Sequence, residues 1–217
     1  MTDFLTARKA MVDCQVRPSD VTSYPIIAAM SAIPREEYVP RDQRETAYLG
    51  EHITLAPGRV VLDARTFGKM LEALDIRPTE MVLDIGCGLG YSTAVTARLA
   101  EFVVAVEQDE SMASEAEAIL AAQSVDNATV ITGDLAAGAA AHGPYDAIII
   151  QGAFETLPDT LNDQLKDGGR IVGIRAEGAY GTCLLGLKSQ GKIIWRRAFD
   201  AAAPVLPGFA AKAEFIF

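Results

Sequence analysis

Three closely spaced glycines that follow a short apolar run are the feature that most constrains the fold of this 217-residue chain. The apolar run, Met81–Ile85, is typical of a buried strand, and Gly86, Gly88 and Gly90 come directly after it. Glycine lets the backbone turn sharply and approach a ligand closely. Because ligands of open α/β sheets bind beyond the carboxyl ends of the strands, the sequence predicts a binding loop at this turn.

Strands and helices alternate along the chain after residue 76. The other predicted strands are Phe102–Val106, Thr129–Thr132, Tyr145–Ile150 and Arg170–Ile174. The predicted helices are Tyr91–Leu99, one that Asp109 caps, and Leu157–Lys166 with Gly168-Gly169 as its C-terminal stop. A hairpin is predicted for Thr182–Lys188 and Lys192–Trp195. This alternation predicts a doubly wound α/β fold. The unbroken apolar runs indicate a mostly parallel sheet that is buried on both faces.

A helical extension is predicted before this region. Phe4, Ala7 and Met11 recur at the spacing of one helix face, and Thr66–Leu74 carries a similar pattern. We expect residues 1–75 to form an N-terminal helical extension that includes a substrate loop at 56–66. Residues 76–217 should form the α/β domain, and the two parts should make one compact unit.

The composition excludes several classes of protein. The chain has 19 Lys and Arg against 29 Asp and Glu, a net charge of −10 at pH 7, which disfavours binding to nucleic acid or to an anionic membrane. Hydrophobic residues make up 50% of the chain, which excludes intrinsic disorder. Because Cys14, Cys87 and Cys183 include no CxxC pair, we expect neither a disulfide framework nor a metal site. No apolar stretch is of signal-peptide or membrane-spanning type, and we therefore expect a cytoplasmic protein.

Polar residues near the glycine loop indicate which cofactor the loop binds. Tyr91 stands where the dinucleotide fingerprint requires a glycine, and Asp84 would repel a pyrophosphate but suits a cationic ligand. Glu107, at the end of the second strand, can accept hydrogen bonds from both ribose hydroxyls, and Asp134 can accept one from an adenine amine. Together these residues predict an S-adenosylmethionine pocket. NAD remains the alternative, because an acid after the second strand is common to both kinds of site.

The predicted cofactor site draws on three strand ends. Its candidate residues are Asp84, Gly86, Cys87, Gly88, Gly90, Glu107, Gln108, Asp134 and Leu135. Taken singly, each acid could equally be a solvated strand end or part of an ordinary turn, so the prediction depends on their combination. We interpret Cys87 as a small packing residue rather than a nucleophile, and His52 and His142 as structural or surface residues.

Several segments resemble one family of methyltransferases. Ala29–Pro40 is similar to a Pro-Arg-Glu segment of the protein-L-isoaspartate O-methyltransferase family, and Pro144–Ile150 and Leu157–Val172 resemble two further family segments. The resemblance extends over nearly the whole chain. It implies a seven-stranded sheet of the class I methyltransferase type, with S-adenosylmethionine as the cofactor. It also implies methyl transfer to the α-carboxylate of an isoaspartyl or D-aspartyl residue in a damaged peptide or protein.

The chain departs from this family in one loop. Where the family has Thr-Ile-Ser-Gln-Pro, this chain has Val60–Ala64, so Leu62 replaces the hydroxyl residue and Asp63 replaces the Gln. The family segment contacts cofactor and substrate, which makes Leu62 and Asp63 the candidate catalytic positions. The added carboxylate should repel a carboxylate substrate unless Arg59 or Arg65 neutralises it, and Arg65 is a candidate substrate clamp.

The sequence leaves three functions open. The first is an isoaspartyl methyltransferase with an altered substrate loop. The second is a methyltransferase that acts on another small-molecule acceptor, and the third is a cofactor-binding module without isoaspartyl repair activity. A carboxylate acceptor is already a nucleophile at pH 7, so the first function requires the positioning of two reactants rather than a general base.

Overall fold

Helices and a short hairpin form the N-terminal part of the chain. The structure, a computed structural model, describes residues 3–178 and 180–211 of the whole chain. The first elements are helix α1 (Phe4–Met11), helix α2 (Tyr24–Ala32), strands β1 (Ile53–Ala56) and β2 (Arg59–Val61), and helix α3 (Ala64–Leu74). A π-helical turn, Val12–Val16, extends α1. The helical extension is thus confirmed. Residues 56–66 are not a simple loop, however, because β1 and β2 pair as an antiparallel hairpin and α3 begins within this segment.

One seven-stranded sheet follows, with the strand order β5-β4-β3-β6-β7-β8-β9. Its elements are β3 (Met81–Ile85), α4 (Tyr91–Ala97), β4 (Phe102–Glu107), α5 (Glu110–Ala122), β5 (Ala128–Thr132), β6 (Tyr145–Phe154), α6 (Asp159–Gln164), β7 (Leu165–Glu177), β8 (Tyr180–Ser189) and β9 (Lys192–Asp200). Strands β3 to β7 are parallel, and β8 and β9 are antiparallel to their neighbours. This is the predicted doubly wound, mostly parallel sheet. The order reverses between β3 and β6, which places the glycine loop at the topological switch point.

Successive residues of the central strands pack into two different cores. Val82 and Ile149 belong to the core that the sheet shares with Phe67 and Leu71 of α3. Leu83, the next residue along β3, belongs to the core on the opposite face. The sheet is therefore covered on both sides, which explains why its strands carry unbroken apolar runs rather than alternating ones.

The predicted helix Leu157–Lys166 is wrong at both ends. Pro158 is extended and precedes α6, which ends at Gln164. The predicted helix stop, Gly168-Gly169, instead lies inside β7, where four residues bulge between the pairs Tyr145–Leu165 and Ala147–Arg170. Gly168 has a φ of +80°, a conformation that glycine adopts without strain. The glycine pair therefore serves a bulge rather than a helix end.

The buried side chain of Arg35 joins the N-terminal extension to the site. Its Nε donates to the carbonyl of Ala47 and its Nη2 to the carbonyl of Leu62, each at 2.8 Å. The guanidinium also lies over the ring of Tyr91, 4.7 Å from the centroid. One cation thereby fixes the chain before α3 against the first turn of α4.

A second arginine holds the end of α3 on the sheet. Arg170 donates to both carboxylate oxygens of Glu80, at 2.9 and 2.7 Å, and to the carbonyls of Leu74 and Asp75. Burial acts to raise the pKa of Glu80, but the hydrogen bonds from Arg170 and from the N–H of Arg77 outweigh it and hold the pKa below its usual value. A carboxyl whose pKa is lower in the folded chain stabilises the fold above its unfolded pKa.

We predict that Glu80→Gln lowers the free energy of unfolding at pH 7 by about 1–3 kcal/mol, because it leaves the guanidinium of Arg170 without a charged partner. Below pH about 4.5 the wild-type advantage should decline as the Glu80 carboxyl is protonated. Urea unfolding at pH 7 and pH 4 measures both effects. The control is Asp200→Asn, which removes an exposed pair with Arg197 and should change little. An equal loss for Glu80→Gln at both pH values would contradict the prediction.

Candidate functional site

The glycine loop turns between β3 and α4 with its backbone against β4. The N–H of Gly86 donates to the carbonyl of Val106 at 2.8 Å. Gly88 has a φ of +57°, in the left-handed region that favours glycine. The sharp backbone turn that the sequence predicted directly after Met81–Ile85 is confirmed.

Glu107 is the most constrained side chain of this site. It is the last residue of β4 and is fully buried. Its Oε2 accepts the N–H of Gly88 at 2.7 Å, and its Oε1 accepts the N–H groups of Gln108 and Asp109 at 2.8 and 3.1 Å. The backbone of two adjacent loops thus holds the carboxylate directly beside the glycines.

Arg59 from β2 forms a buried ion pair with Glu107. The guanidinium binds both carboxylate oxygens, Nη1 to Oε1 at 2.7 Å and Nη2 to Oε2 at 2.5 Å, and Arg59 is only 5% exposed. The sequence left open whether Arg59 or Arg65 neutralises Asp63, and in this structure neither arginine forms an ion pair with it. Arg59 pairs with Glu107, and Arg65 is an exposed residue of α3 that makes no ion pair with a described residue.

Aliphatic side chains cover the glycine loop. A Cβ built on Gly88 would overlap with Cδ1 of Leu55 from β1, and one on Gly86 would lie 3.3 Å from Cδ1 of Leu206. The space left among Val60, Gly86 and the residues around them is a cavity of about 10 Å³. Such a cavity is close to the smallest that holds one water molecule. The β1–β2 hairpin and the segment around Leu206 therefore close the loop from above.

Asp84 lies beneath the loop within a network of its own. Its Oδ2 accepts the hydroxyls of Ser92 and Thr93 at 2.6 and 2.7 Å, and its Oδ1 accepts Nε2 of Gln151 at 2.9 Å. Burial raises the pKa of Asp84 against the opposing effect of these three donors. Asp84 was expected from the sequence to face a cationic ligand, and in this conformation its oxygens face these donors instead.

The remaining predicted cofactor residues lie at the ends of β3, β4 and β5. Asp134 is exposed, and its Oδ1 accepts the N–H of Ala136 at 3.0 Å. Leu135 is fully buried, whereas Gln108 is exposed. Burial raises the pKa of the Cys87 thiol well above its ordinary value, which agrees with a packing role rather than a nucleophilic one.

Leu62 and Asp63, the two candidate catalytic residues, both make contacts that stabilise the start of α3. Leu62 is 2% exposed in the core, and its carbonyl accepts Arg35. Asp63 is the N-cap of α3: its Oδ1 accepts the N–H of Thr66 at 2.9 Å, while its own N–H donates to Nδ1 of His52, also at 2.9 Å. The other ring nitrogen of His52 lies 2.8 Å from the carbonyl of Ala202. His52 therefore ties the start of α3 to the C-terminal segment.

Within residues 3–178 and 180–211, no helix has both the length and the hydrophobicity that a membrane span requires. The same residues include no cluster of three or more His, Cys, Asp or Glu side chains placed to hold a metal ion.

Two solved structures share this architecture over most of the chain. A protein-L-isoaspartate O-methyltransferase structure superposes with a TM-score of 0.80 at 22% identity, covering 93% of this chain and 66% of the other. A putative enzyme of the same name from Plasmodium falciparum, in complex with S-adenosyl-L-homocysteine, gives 0.78 at 18% identity, covering 92% and 97%. At such identities these likenesses show the fold, which is that of a class I methyltransferase.

Sequence relatives identify the family. A model of the protein-L-isoaspartate(D-aspartate) O-methyltransferase family matches residues 6–193. The protein-L-isoaspartate O-methyltransferase of Roseiflexus castenholzii is 34% identical over 87% of this chain and 86% of its own. That of Roseiflexus sp. is 33% identical over 98% and 97%. The chain belongs to the protein-L-isoaspartate(D-aspartate) O-methyltransferase family, as the resemblance of its segments indicated.

We predict that Asp63→Ala lowers the free energy of unfolding by about 1 kcal/mol, because it removes the side-chain acceptor at the N-terminus of α3. Asp63→Ser should retain most of the stability, since serine also caps helices but carries no charge. Thermal and urea unfolding of the two variants beside wild type measure the difference. Equal stability of Asp63→Ala and wild type would show that the cap contributes nothing.

Proposed function

We propose that this chain is an S-adenosylmethionine-dependent methyltransferase that methylates the α-carboxylate of isoaspartyl or D-aspartyl residues in proteins. Membership of the family supports the reaction. The structural observation that carries the proposal is the Glu107 carboxylate, held by backbone N–H groups beside the glycine loop at the switch point of the sheet. Burying a carboxylate costs free energy unless the charge is paired and hydrogen-bonded. This carboxylate lies at the strand end where an acid binds the ribose in sites of this kind.

The donor and acceptor groups of the site fit the cofactor. Glu107 would hold the ribose hydroxyls, the glycine loop would lie against the amino-acid part, and Asp134 would accept the adenine amine. S-adenosylmethionine supplies, when it is bound, an electrophilic methyl group on a sulfonium. The closed conformation leaves no room for the cofactor, because Leu55 lies against Gly88 and Arg59 lies against Glu107. Binding therefore requires the β1–β2 hairpin to move.

The protein's own contribution is positioning. A carboxylate acceptor needs no base, so catalysis depends on holding it in line and excluding water. Oδ1 of Asp63 accepts the N–H of Thr66 at the N-terminus of α3. The helix terminus stabilises this negative charge, which reduces the repulsion of a carboxylate substrate that the position of Asp63 in the sequence suggests.

The proposal extends to substrate and compartment. We assign the acceptor to a damaged protein or peptide rather than a small molecule, because the relatives that match most of the chain carry the protein methyltransferase name. We assign the activity to the cytoplasm, where thiols stay reduced; Cys14, Cys87 and Cys183 are all free.

We predict slow but selective methyl transfer from labelled S-adenosylmethionine to a peptide that contains one isoaspartyl residue, and none to the same peptide with a normal aspartyl residue. Transfer should be slow because the hairpin closes the site. Base-labile methyl ester formed on each peptide measures the selectivity. Equal labelling of the two peptides, or of neither at high enzyme concentration, would contradict the assigned acceptor.

A further inference from the structure

We infer that Arg59 and the β1–β2 hairpin form a latch that competes with the adenosyl cofactor for Glu107, so that the cofactor enters only when the hairpin opens. This inference rests on the proposed function, because it concerns access to the same site. It assigns to Arg59 a regulatory role that the family resemblance does not supply.

The hydrogen bonding of Glu107 is the first support. A carboxylate offers about four acceptor positions. Glu107 already accepts five N–H groups: two from Arg59 and one each from Gly88, Gln108 and Asp109. No acceptor position is left for ribose hydroxyls while Arg59 is in place. The guanidinium and the ribose are therefore alternative partners of one carboxylate.

The packing of Leu55 is the second support. A glycine loop keeps side chains away from its backbone so that a ligand can approach. Here Leu55 fills the place above Gly88 that the missing Cβ leaves open. Leu55 and Arg59 lie on the two strands of the same hairpin. A single displacement of this hairpin would therefore free the glycine face and the carboxylate together.

The construction of the hairpin indicates that it can open. Its strands have four and three residues, and their pairing is irregular between Thr54 and Ala56. A two-stranded hairpin of this kind is marginal without external contacts. The closed state also leaves Nε of Arg59 buried without a hydrogen-bond partner among the described residues, which disfavours that state.

The decisive experiment compares the binding of S-adenosyl-L-homocysteine to wild type, Arg59→Gln and Leu55→Ala by calorimetry. We expect Kd to fall at least about tenfold in Arg59→Gln, because the competent fraction of the protein increases, and to fall less in Leu55→Ala. Leu55→Ala leaves the buried ion pair intact and so keeps the test valid if Arg59→Gln does not fold. Arg98→Gln is the control: Arg98 is an exposed arginine at the end of α4 and its loss should not alter Kd.

Hydrogen exchange on the wild-type protein provides a readout that does not depend on activity. The amides of residues 53–61 should be protected in the free protein and should exchange faster when S-adenosyl-L-homocysteine is bound, while those of β3 and β4 remain protected. In free Arg59→Gln the same hairpin amides should already exchange rapidly. Unchanged exchange in the hairpin upon binding would overturn the latch.

The outcomes separate the two proposals. Tight and equal binding by wild type and both variants would overturn the latch and leave the proposed function intact. Tighter binding by the variants without methyl transfer to the isoaspartyl peptide would support the latch and overturn the assigned acceptor. Absence of binding by folded variants with a released hairpin would overturn both the cofactor assignment and the latch.

Discussion

A buried ion pair between Arg59 and Glu107 governs the arrangement of the site. Removing either charge from water is expensive, and the attraction between them repays that cost only when the geometry is good and the remaining hydrogen-bonding groups are satisfied. The carboxylate meets this condition through three backbone N–H groups, whereas Nε of the guanidinium has no hydrogen-bond partner within residues 3–178 and 180–211. The pair therefore fixes the hairpin on the glycine loop without satisfying every donor of Arg59 from that part of the chain.

Other contacts determine what moves with the hairpin. Arg35 binds the carbonyl of Leu62, and Asp63 caps α3, so the chain after β2 is fixed to the core. Before β1, His52 contacts the carbonyl of Ala202. Because these anchors lie on either side of residues 53–61, opening of the latch would involve the hairpin alone. A local opening of this kind needs far less free energy than global unfolding.

The sequence predicted the sheet well because each strand is a local apolar pattern. It failed where a partner lies far along the chain. Arg59 and Glu107 are 48 residues apart, and nothing near Arg59 in the sequence indicates which carboxylate it meets. Asp63 differs from this case, because an aspartate three residues before Thr66, at the start of a helical pattern, is a local N-cap signal. The resemblance to the family's substrate loop predicted a different role for the same residue. The boundary at residue 75 and the ligand contacts of the site residues stay predictions.

The two buried acids of the site, Asp84 and Glu107, show why residue types alone do not determine whether the site is open or closed. Asp84 is surrounded by neutral donors, two hydroxyls and an amide, which belong to the sheet and to α4 and move with them. Glu107 receives its balancing charge from Arg59 of the β1–β2 hairpin, which lies outside the sheet. When the ribose hydroxyls of the cofactor replace Arg59 at Glu107, the site changes from closed to occupied, while Asp84 and the sheet stay in place. Control of access can therefore evolve in the hairpin while the cofactor-binding residues of the strand ends stay unchanged.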